Sequence, residues 1–378
     1  MKRIRLGMVG GGNDAFIGGV HRIAARIDDR FELVAGALSS TPEKSEASAR
    51  ALGINRSYGS FTEMAEAEAA REDGIEAVSI VTPNHVHAAA AKAFLAKGIH
   101  VICDKPLTST LEDAQDLAQS VADSDALFIL THNYTGYPMI RQARDIVHAG
   151  DLGDIRIVQV EYPQDWLTSP AEKEGVKQAE WRTDPKRSGA GGSVGDIGTH
   201  AHNLACFVTG LSVEKLAADL QAFGVGRTLD DNAHVLLRFA SGARGMLWSS
   251  QVAPGNENAL KLRVYGSKGG LEWSQEDPNY LWFTPQGEPK RLITRNGAGA
   301  GAAAAAVSRI PAGHPEGYLE GFATIYNEAA EAIRAVQNGT DKATAMGLLP
   351  GIEAGLEGMA FISACVSSSA QDAAWVTL

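Results

Sequence analysis

Residues 4–19 read IRLGMVGGGNDAFIGG. Ile4 to Val9 is a short apolar run that ends at Gly10, and apolar residues recur at helical spacing from Ile17 to Ile27, so the chain opens as strand, tight turn and helix. Such a turn suits a dinucleotide, whose pyrophosphate must approach bare backbone N–H groups at a helix N-terminus. Gly10 and Gly12 meet that need. The next glycine of the usual fingerprint is displaced: NDAF intervenes and Gly18 takes its place, with Phe16 and Ile17 expected at the edge of the cofactor. Any strand-to-helix turn can be rich in glycine, so the surrounding pattern has to decide.

That pattern repeats. FELVAGAL (31–38) is a second strand, followed by a helix for which Thr41 can cap, Pro42 suits the first turn and Gly53 closes the end. AVSIVTP (77–83) and IHVICDKP (99–106) are strands, each followed by a helical segment, and ALFILTHN (126–133) is a further strand. Continuous apolar strands alternating with helices specify a parallel sheet covered on both faces, with ligands beyond the strands' carboxyl ends. The expected fold class is α/β: a Rossmann-type doubly wound parallel sheet in an N-terminal dinucleotide-binding domain, residues 1–134. A C-terminal α+β domain with a large, mostly antiparallel sheet, residues 135–378, follows. Its strands show in RIVQVEYPQDW, HVLLRFASG, ARGMLWSSQV, KLRVYGSKGGLEW and YLWF, which alternate apolar and polar residues as one-face-buried strands do.

The second strand ends in ALSS, where an NAD-preferring enzyme usually carries an acid for the ribose 2′-hydroxyl. Ser39, Ser40 and Lys44 could instead receive the 2′-phosphate of NADP, or the serines could merely help cap the next helix. Cofactor use is expected to be NAD(P), leaning to NADP or to both.

At 378 residues the chain has room for two cores, and 44 % hydrophobic with 21 % charged residues is an ordinary globular composition. A net charge of −11 works against nucleic acid or an anionic membrane, which leaves a small molecule as the expected partner. Cys103, Cys206 and Cys365 are too few and too dispersed for a disulfide framework or a thiolate zinc site, and are expected as buried, reduced thiols. No apolar stretch reaches membrane-spanning length and glycines interrupt the N-terminal run, so a cytoplasmic location is expected. His85, His87, His200 and His202 form His-x-His pairs without a convincing carboxylate partner set, so no metal is expected.

Three stretches together, the N-terminal turn, VTPNHVHAAAAKAFLAKGIHVICDKP (81–106) and GGSVGDIGTH (191–200), resemble the glucose-fructose oxidoreductase/inositol dehydrogenase (Gfo/Idh/MocA) family. The resemblance runs from residue 2 to about residue 285 and weakly on to GHPEGYLEGFATIY (313–326). It implies a second domain whose sheet commonly forms the subunit contact, hence a homo-oligomer, dimer or tetramer. It also implies oxidation or reduction of a hydroxyl of a sugar, polyol or sugar derivative.

Asp104, Lys105 and Pro106 match the family's Glu-Lys-Pro tripeptide with Asp for Glu, and Asp196 and His200 match its second catalytic element. Asn84 and His87 match positions that meet the cofactor, where Thr82 and Pro83 also belong. At i and i+4 of a helix beginning near Asp196, the Asp196 and His200 side chains share a face, and small residues before them would let the chain approach a cleft closely. The simpler alternative is that Asp196 caps the helix and His200 is solvated. His200 suits the general base because its reference pKa of ~6.5 lies near working pH, with Lys105 stabilising the alkoxide and Asp196 binding a substrate hydroxyl or fixing the imidazole tautomer. The reverse, Lys105 as proton acceptor, stays open. Asn133 is expected beside the cofactor, and Tyr134, Trp166, Trp181 and Arg182 beside the substrate, the tryptophans being equally suited to anchoring a core. GAGAGAAAAAVSRIPAGHPEGY (297–318) is expected as a mobile loop from which His314 could close over a substrate, before a helix that packs back. A redox-assisted NAD-dependent glycosidase and a non-catalytic nucleotide-binding sensor are the competing functions.

Overall fold

The computed structural model describes residues 2–13 and 15–378, which divide into two compact units. The first comprises Met1–Asn133 with Leu319–Glu357, the second Tyr134–Tyr318 with Gly358–Leu378.

In the first unit, strands β1 (Ile4–Gly10), β2 (Phe31–Ala37), β3 (Arg56–Ser57), β4 (Ala77–Val81), β5 (His100–Cys103) and β6 (Phe128–Leu130) form an all-parallel sheet in the order β3-β2-β1-β4-β5-β6. Every residue of β4 and β5 is buried, which is why those strands read as unbroken apolar runs. Helices α1 (Phe16–Ile27), α2 (Pro42–Leu52), α3 (Phe61–Ala69), α4 (Asn84–Leu95) and α5 (Leu111–Ala122) make the crossovers. Strand order reverses between β1 and β4, and the carboxyl ends of β1, β4, β5 and β6 deliver Gly10, Thr82, Asp104 and the Thr131–Asn133 segment to one edge.

Pro42 opens α2 and Gly53 ends it in the left-handed region, as expected, but the Thr41 side chain makes no cap hydrogen bond. Ser39 Oγ instead accepts from Thr41 N at 3.2 Å, so the serine shapes the turn. The sequence pattern also left α3 unnoticed; Ser60 caps it by accepting from Glu63 N at 3.1 Å, and Glu63 reaches back to Gly59 N.

The second unit is built on a nine-stranded sheet. Its strands are β7 (Ile155–Pro163), β8 (Val213–Gln221), β9 (Asn232–Phe239), β10 (Arg244–Ser250), β11 (Lys261–Gly266), β12 (Gly269–Ser274), β13 (Tyr280–Pro285), β14 (Arg291–Thr294) and β15 (Val376–Thr377). The order is β14-β13-β12-β11-β7-β10-β9-β8-β15, antiparallel except where β7 meets β10. The register lines up Val235, Leu247, Val160, Leu262, Trp273, Leu281 and Ile293 across seven strands, all buried. One residue along each strand, Leu236, Met246, Gln159, Arg263, Glu272, Trp282 and Leu292 form the opposite row, of which Leu236, Trp282 and Leu292 are exposed. A period of two thus separates the two faces over these seven strands. Helices α6 (Pro138–His148), α7 (Lys177–Arg182), α8 (Pro185–Ser188) and α9 (Thr199–Thr209) precede most of these strands.

Residues 297–318 are not the mobile loop expected from their composition. They contain a short helix α10 (Ala302–Ala305) that packs against α6, and Gly301 N donates to Gln142 Oε1 at 2.5 Å. Buried Arg295 donates to the carbonyls of Ile310 and Pro311 and pairs with buried Glu316 at 3.0 Å, while Glu316 accepts from the Arg309 and Ile310 amides. His314 is exposed. Beyond this segment run α11 (Tyr318–Gln337), α12 (Lys342–Met346) and α13 (Ile352–Ser369). Of the cysteines, none is disulfide-bonded; Cys103 and Cys365 are buried, but Cys206 is only half-buried, with Sγ 3.6 Å from His202 Nε2.

Gly18 locks helix to turn, since a Cβ there would stand 2.4 Å from Gly11 Cα and 2.5 Å from Gly11 O. Gly18→Ala is expected to lower the unfolding free energy by about 1–3 kcal/mol, the usual range for forcing a methyl into a packed site; urea denaturation with an unchanged midpoint would contradict this close contact.

Candidate active site

The dinucleotide turn is shaped by what lies behind it. Gly10 and Gly11 hold φ of +76° and +70°, values side chains resist, and a Cβ on Gly12 would meet Leu38 O and Ser48 Oγ at 2.9 Å. Arg22, in the second turn of α1, reaches back to the Gly11 carbonyl. The first turn of α1 has no acidic side chain and Ala15 offers no side-chain cap, so its amides are left to an anion. Beyond the ends of β4 and β6, Thr82 Oγ1 and Asn133 Nδ2 are buried without hydrogen-bond partners. Glycine backbone, helix amides and two unsatisfied polar atoms along one sheet edge fit a dinucleotide. Phe16 is 69 % exposed beside the turn and Ile17 packs against the Met8–Leu38 cluster. Ser40 and Lys44 are exposed beyond β2.

Lys105 follows β5 and precedes a cis bond to Pro106. Asp104 Oδ1 accepts from Lys105 N at 2.9 Å and from Thr131 Oγ1 at 3.0 Å. Burial opposes the charge, but His21, Lys105 and His87 hold the Asp104 carboxyl well below the usual carboxylate range. His87, expected at the cofactor, is enclosed by protein. Its ring is fully buried between the ends of β4 and β5, with Nδ1 2.9 Å from Pro106 O and Nε2 2.9 Å from Thr82 O, and the neutral ring donates to one of these carbonyls. Burial draws its pKa down. Asn84 is buried at the start of α4, after Pro83.

In the second unit, GGSVGDIGTH does not simply start an α-helix. Val194–Gly198 is a π turn that runs into α9, so Asp196 sits in the wider turn and His200 in the first turn of the regular helix. The Asp196 Oδ2 accepts from Arg182 Nε at 3.1 Å and Gln251 Nε2 at 3.0 Å. His200 is buried, its ring edge-on to Tyr134 with centroids 4.9 Å apart and tilted toward Tyr162 at 6.3 Å. From there a polar chain extends. Tyr134 and Tyr162 hydroxyls are 2.5 Å apart, and Asn258 Oδ1 accepts from Tyr162 at 2.8 Å and from Gln164 Nε2 at 2.6 Å. Burial raises both tyrosine pKa values, so both stay protonated. Because Asn258 Oδ1 can only accept, the Tyr162 proton is committed to it and Tyr134 donates to Tyr162.

Trp166 gives Nε1 to Gln164 Oε1 at 3.1 Å and packs on Leu167, Ala171 and Ala179, so it anchors a small core. Trp181 lies under the Arg182 guanidinium, 4.3 Å from the ring centroid, and so helps aim the cation at Asp196. His202 faces away from this group, stacked on Phe361 with centroids 4.4 Å apart, and burial pulls its pKa down to about 4.

The glycines of the run serve a partner that sequence inspection missed. A Cβ on Gly192 would lie 2.0 Å from Asp230 O. Asp230 Oδ1 accepts from Gly192 N at 2.7 Å, Oδ2 from Val194 N at 2.8 Å, and its carbonyl accepts from Ser193 N at 2.7 Å. Asp231 performs the same service for the loop opposite, accepting from Phe223 N, Gly224 N and Arg227. The adjacent carboxylates Asp230 and Asp231 were the available clue. Burial pushes the Asp230 carboxyl up to about 6 against the amides that lower it. The folded chain therefore binds this proton more tightly than the unfolded chain, and the group's contribution to stability falls as pH rises from about 4 to about 6. In Asp230→Asn an NH₂ must face one of the two amides, so turnover with an active substrate should drop about tenfold or more, a loss of about 1.4 kcal/mol or more. The stability gap favouring wild type should narrow by up to about 3 kcal/mol between pH 4 and pH 7. Calorimetric melting of both proteins across this range checks it; a constant gap contradicts the assignment.

Residues 4–132 match the model of an oxidoreductase family with an NAD-binding Rossmann fold, and residues 140–272 match a GFO/IDH/MocA C-terminal domain. The chain is 35% identical over 381 aligned residues to the uncharacterized oxidoreductase YfiI of Bacillus subtilis, covering 99% of this chain and 97% of that protein. A crystal structure of an oxidoreductase from Sinorhizobium meliloti is 63% identical with a TM-score of 0.90, covering 100% of both chains. An inositol dehydrogenase homolog from Azotobacter vinelandii, complexed with NADH and myo-inositol, is 36% identical with a TM-score of 0.93, covering 100% of this chain and 98% of that one. A six-stranded parallel sheet with a glycine turn, a nine-stranded mixed sheet and these likenesses agree: the chain belongs to the Gfo/Idh/MocA family of oxidoreductases.

Proposed function

We propose that the protein is an NAD(P)-dependent dehydrogenase that moves a hydride between a nicotinamide cofactor and a secondary hydroxyl or ketone of a sugar, cyclitol or related polyol. The observation that carries this is a buried imidazole, His200, four residues beyond Asp196, whose carboxylate is held by Arg182 and Gln251. A carboxylate fixed by two donors and a histidine beside a tyrosine hydroxyl chain suit a substrate that presents several hydroxyls. The myo-inositol complex of the Azotobacter homolog supports the same substrate class.

The glycine turn, the α1 amides, Thr82, Asn84 and Asn133 would hold the dinucleotide, which when bound supplies the hydride acceptor. His200 takes the carbinol proton as the C–H electron pair leaves with the hydride and the C=O bond forms. The Lys105 ammonium stabilises the negative charge that develops on the oxygen during this transfer. Asp196 accepts a hydrogen bond from a substrate hydroxyl and fixes its orientation, and Tyr134 lies beside the imidazole to do the same for a second. With Ser39, Ser40 and Lys44 and no acid at the end of β2, NADP use, or use of both cofactors, is the assignment. Leu236, Trp282 and Leu292 on one sheet face support a homo-oligomer built on that face. Three cysteines without a disulfide support a cytoplasmic location.

His200→Ala should lower kcat about 10²–10⁴-fold while the dissociation constant for reduced nucleotide stays within about twofold. Absorbance of reduced nicotinamide against a panel of inositols and sugars, with NAD and NADP in parallel, measures both activity and cofactor choice. No accumulation of reduced cofactor with any polyol would end this proposal.

A further inference from the structure

The first unit contains a buried polar chain that none of these roles uses. His21, fully buried in α1, places Nδ1 2.9 Å from the Tyr326 hydroxyl of α11, and Tyr326 is 2.9 Å from Ser79 Oγ of β4. The other ring nitrogen, Nε2, is buried without a hydrogen-bond partner and lies 3.8 Å from Asp104 Oδ1. Phe322 packs on the ring with centroids 5.0 Å apart, which fixes its plane. A buried imidazole nitrogen aimed at a carboxylate just beyond bonding distance is costly to leave unsatisfied, so its position needs a reason.

We propose that His21 is a positioning residue for Lys105, acting through Asp104. This rests on the dehydrogenase function assigned above. A carboxylate can only accept, so Nε2 carries the proton and Nδ1 is left as an acceptor. Nδ1 then accepts from the Tyr326 hydroxyl at 2.9 Å, with Ser79 Oγ 3.3 Å away as a second donor, which links β4, α11 and α1 on the way to Asp104. That chain points to Asp104 Oδ1, 3.8 Å from Nε2 and the same oxygen that accepts the Lys105 amide and the Thr131 hydroxyl. Four elements, β4, α11, α1 and the end of β6, thereby set where the β5 strand end presents its lysine. The titratable and charged groups around Asp104 are His21 on α1, His87 on α4, Tyr326 on α11, and Cys103 and Lys105 on its own segment.

Two measurements on the full-length protein test this. In ¹⁵N-imidazole spectra, with His21 assigned by its loss in His21→Gln, the ring should show a protonated Nε2 and an acceptor Nδ1, and Asp104→Asn should shift the Nε2 signal. The opposite tautomer, or no response to Asp104→Asn, overturns the proposal whether or not a substrate has been found. In turnover, His21→Leu, which keeps bulk but no donor, should lower kcat about tenfold with KM for polyol and nucleotide affinity within twofold. His21→Gln, whose amide can still donate, should recover part of the loss. Full activity in His21→Leu, or a loss explained wholly by a lower folded fraction and equal in both variants, also overturns it. A wild type inactive on every polyol condemns the functional assignment instead, and the imidazole spectra then decide alone.

Discussion

The turn that carries Asp196 and His200 depends on one carboxylate holding adjacent backbone amides. Asp230 offers an oxygen to Gly192 N and another to Val194 N, and its own carbonyl takes the amide between them. Three consecutive donors are thereby satisfied at the point where a helix must begin, which a side-chain cap ordinarily achieves with one or two. Held this way, the chain enters α9 through a π turn, and Asp196 faces Arg182 and Gln251. Ser193 adds a hydroxyl contact to Ser249 at 2.9 Å, fastening the same turn to β10. The energy cost of burying Asp230, visible in its raised pKa, is the counterpart of that precision.

The two units show the same principle with different parts. In the first, an acceptor-only carboxylate, Asp104, collects the Lys105 amide and the Thr131 hydroxyl at the end of a parallel strand. In the second, Asp230 and Asp231 stand side by side after a loop, one organising the turn with Asp196 and His200, the other the loop that Arg227 ties to Glu172. Rigid positioning of reactive side chains is worth several orders of magnitude in rate, which justifies buried charge near a site.

Much of this could be read from the chain itself. Strand–helix alternation, the glycines at residues 10–12 and the period of two in residues 232–250 reflect local chemistry: apolar runs, positive φ and the pleat. Lys105, Asp196 and His200 were visible because short motifs set them apart. The partners were not. Asp230 lies 38 residues from Gly192, Gln251 lies 55 from Asp196, and Tyr326 lies 305 from His21, and no local spacing encodes such meetings. Composition also misled: the alanine- and glycine-rich stretch after residue 297 looked mobile, but Arg295 and Glu316, each ordinary in sequence, pin it from its two ends. His87 was set apart by its motif, but its place between the Thr82 and Pro106 carbonyls was not legible, since that required the ends of two strands to be side by side.

The measurement that tests this account most directly is a double-mutant cycle on kcat/KM for polyol oxidation, combining Asp230→Asn with His200→Gln. If Asp230 works by placing the turn that carries the imidazole, its removal costs little once the imidazole is gone, and the double variant should fall within about twofold of His200→Gln alone. Losses that multiply would show Asp230 acting independently of that turn and would contradict the account.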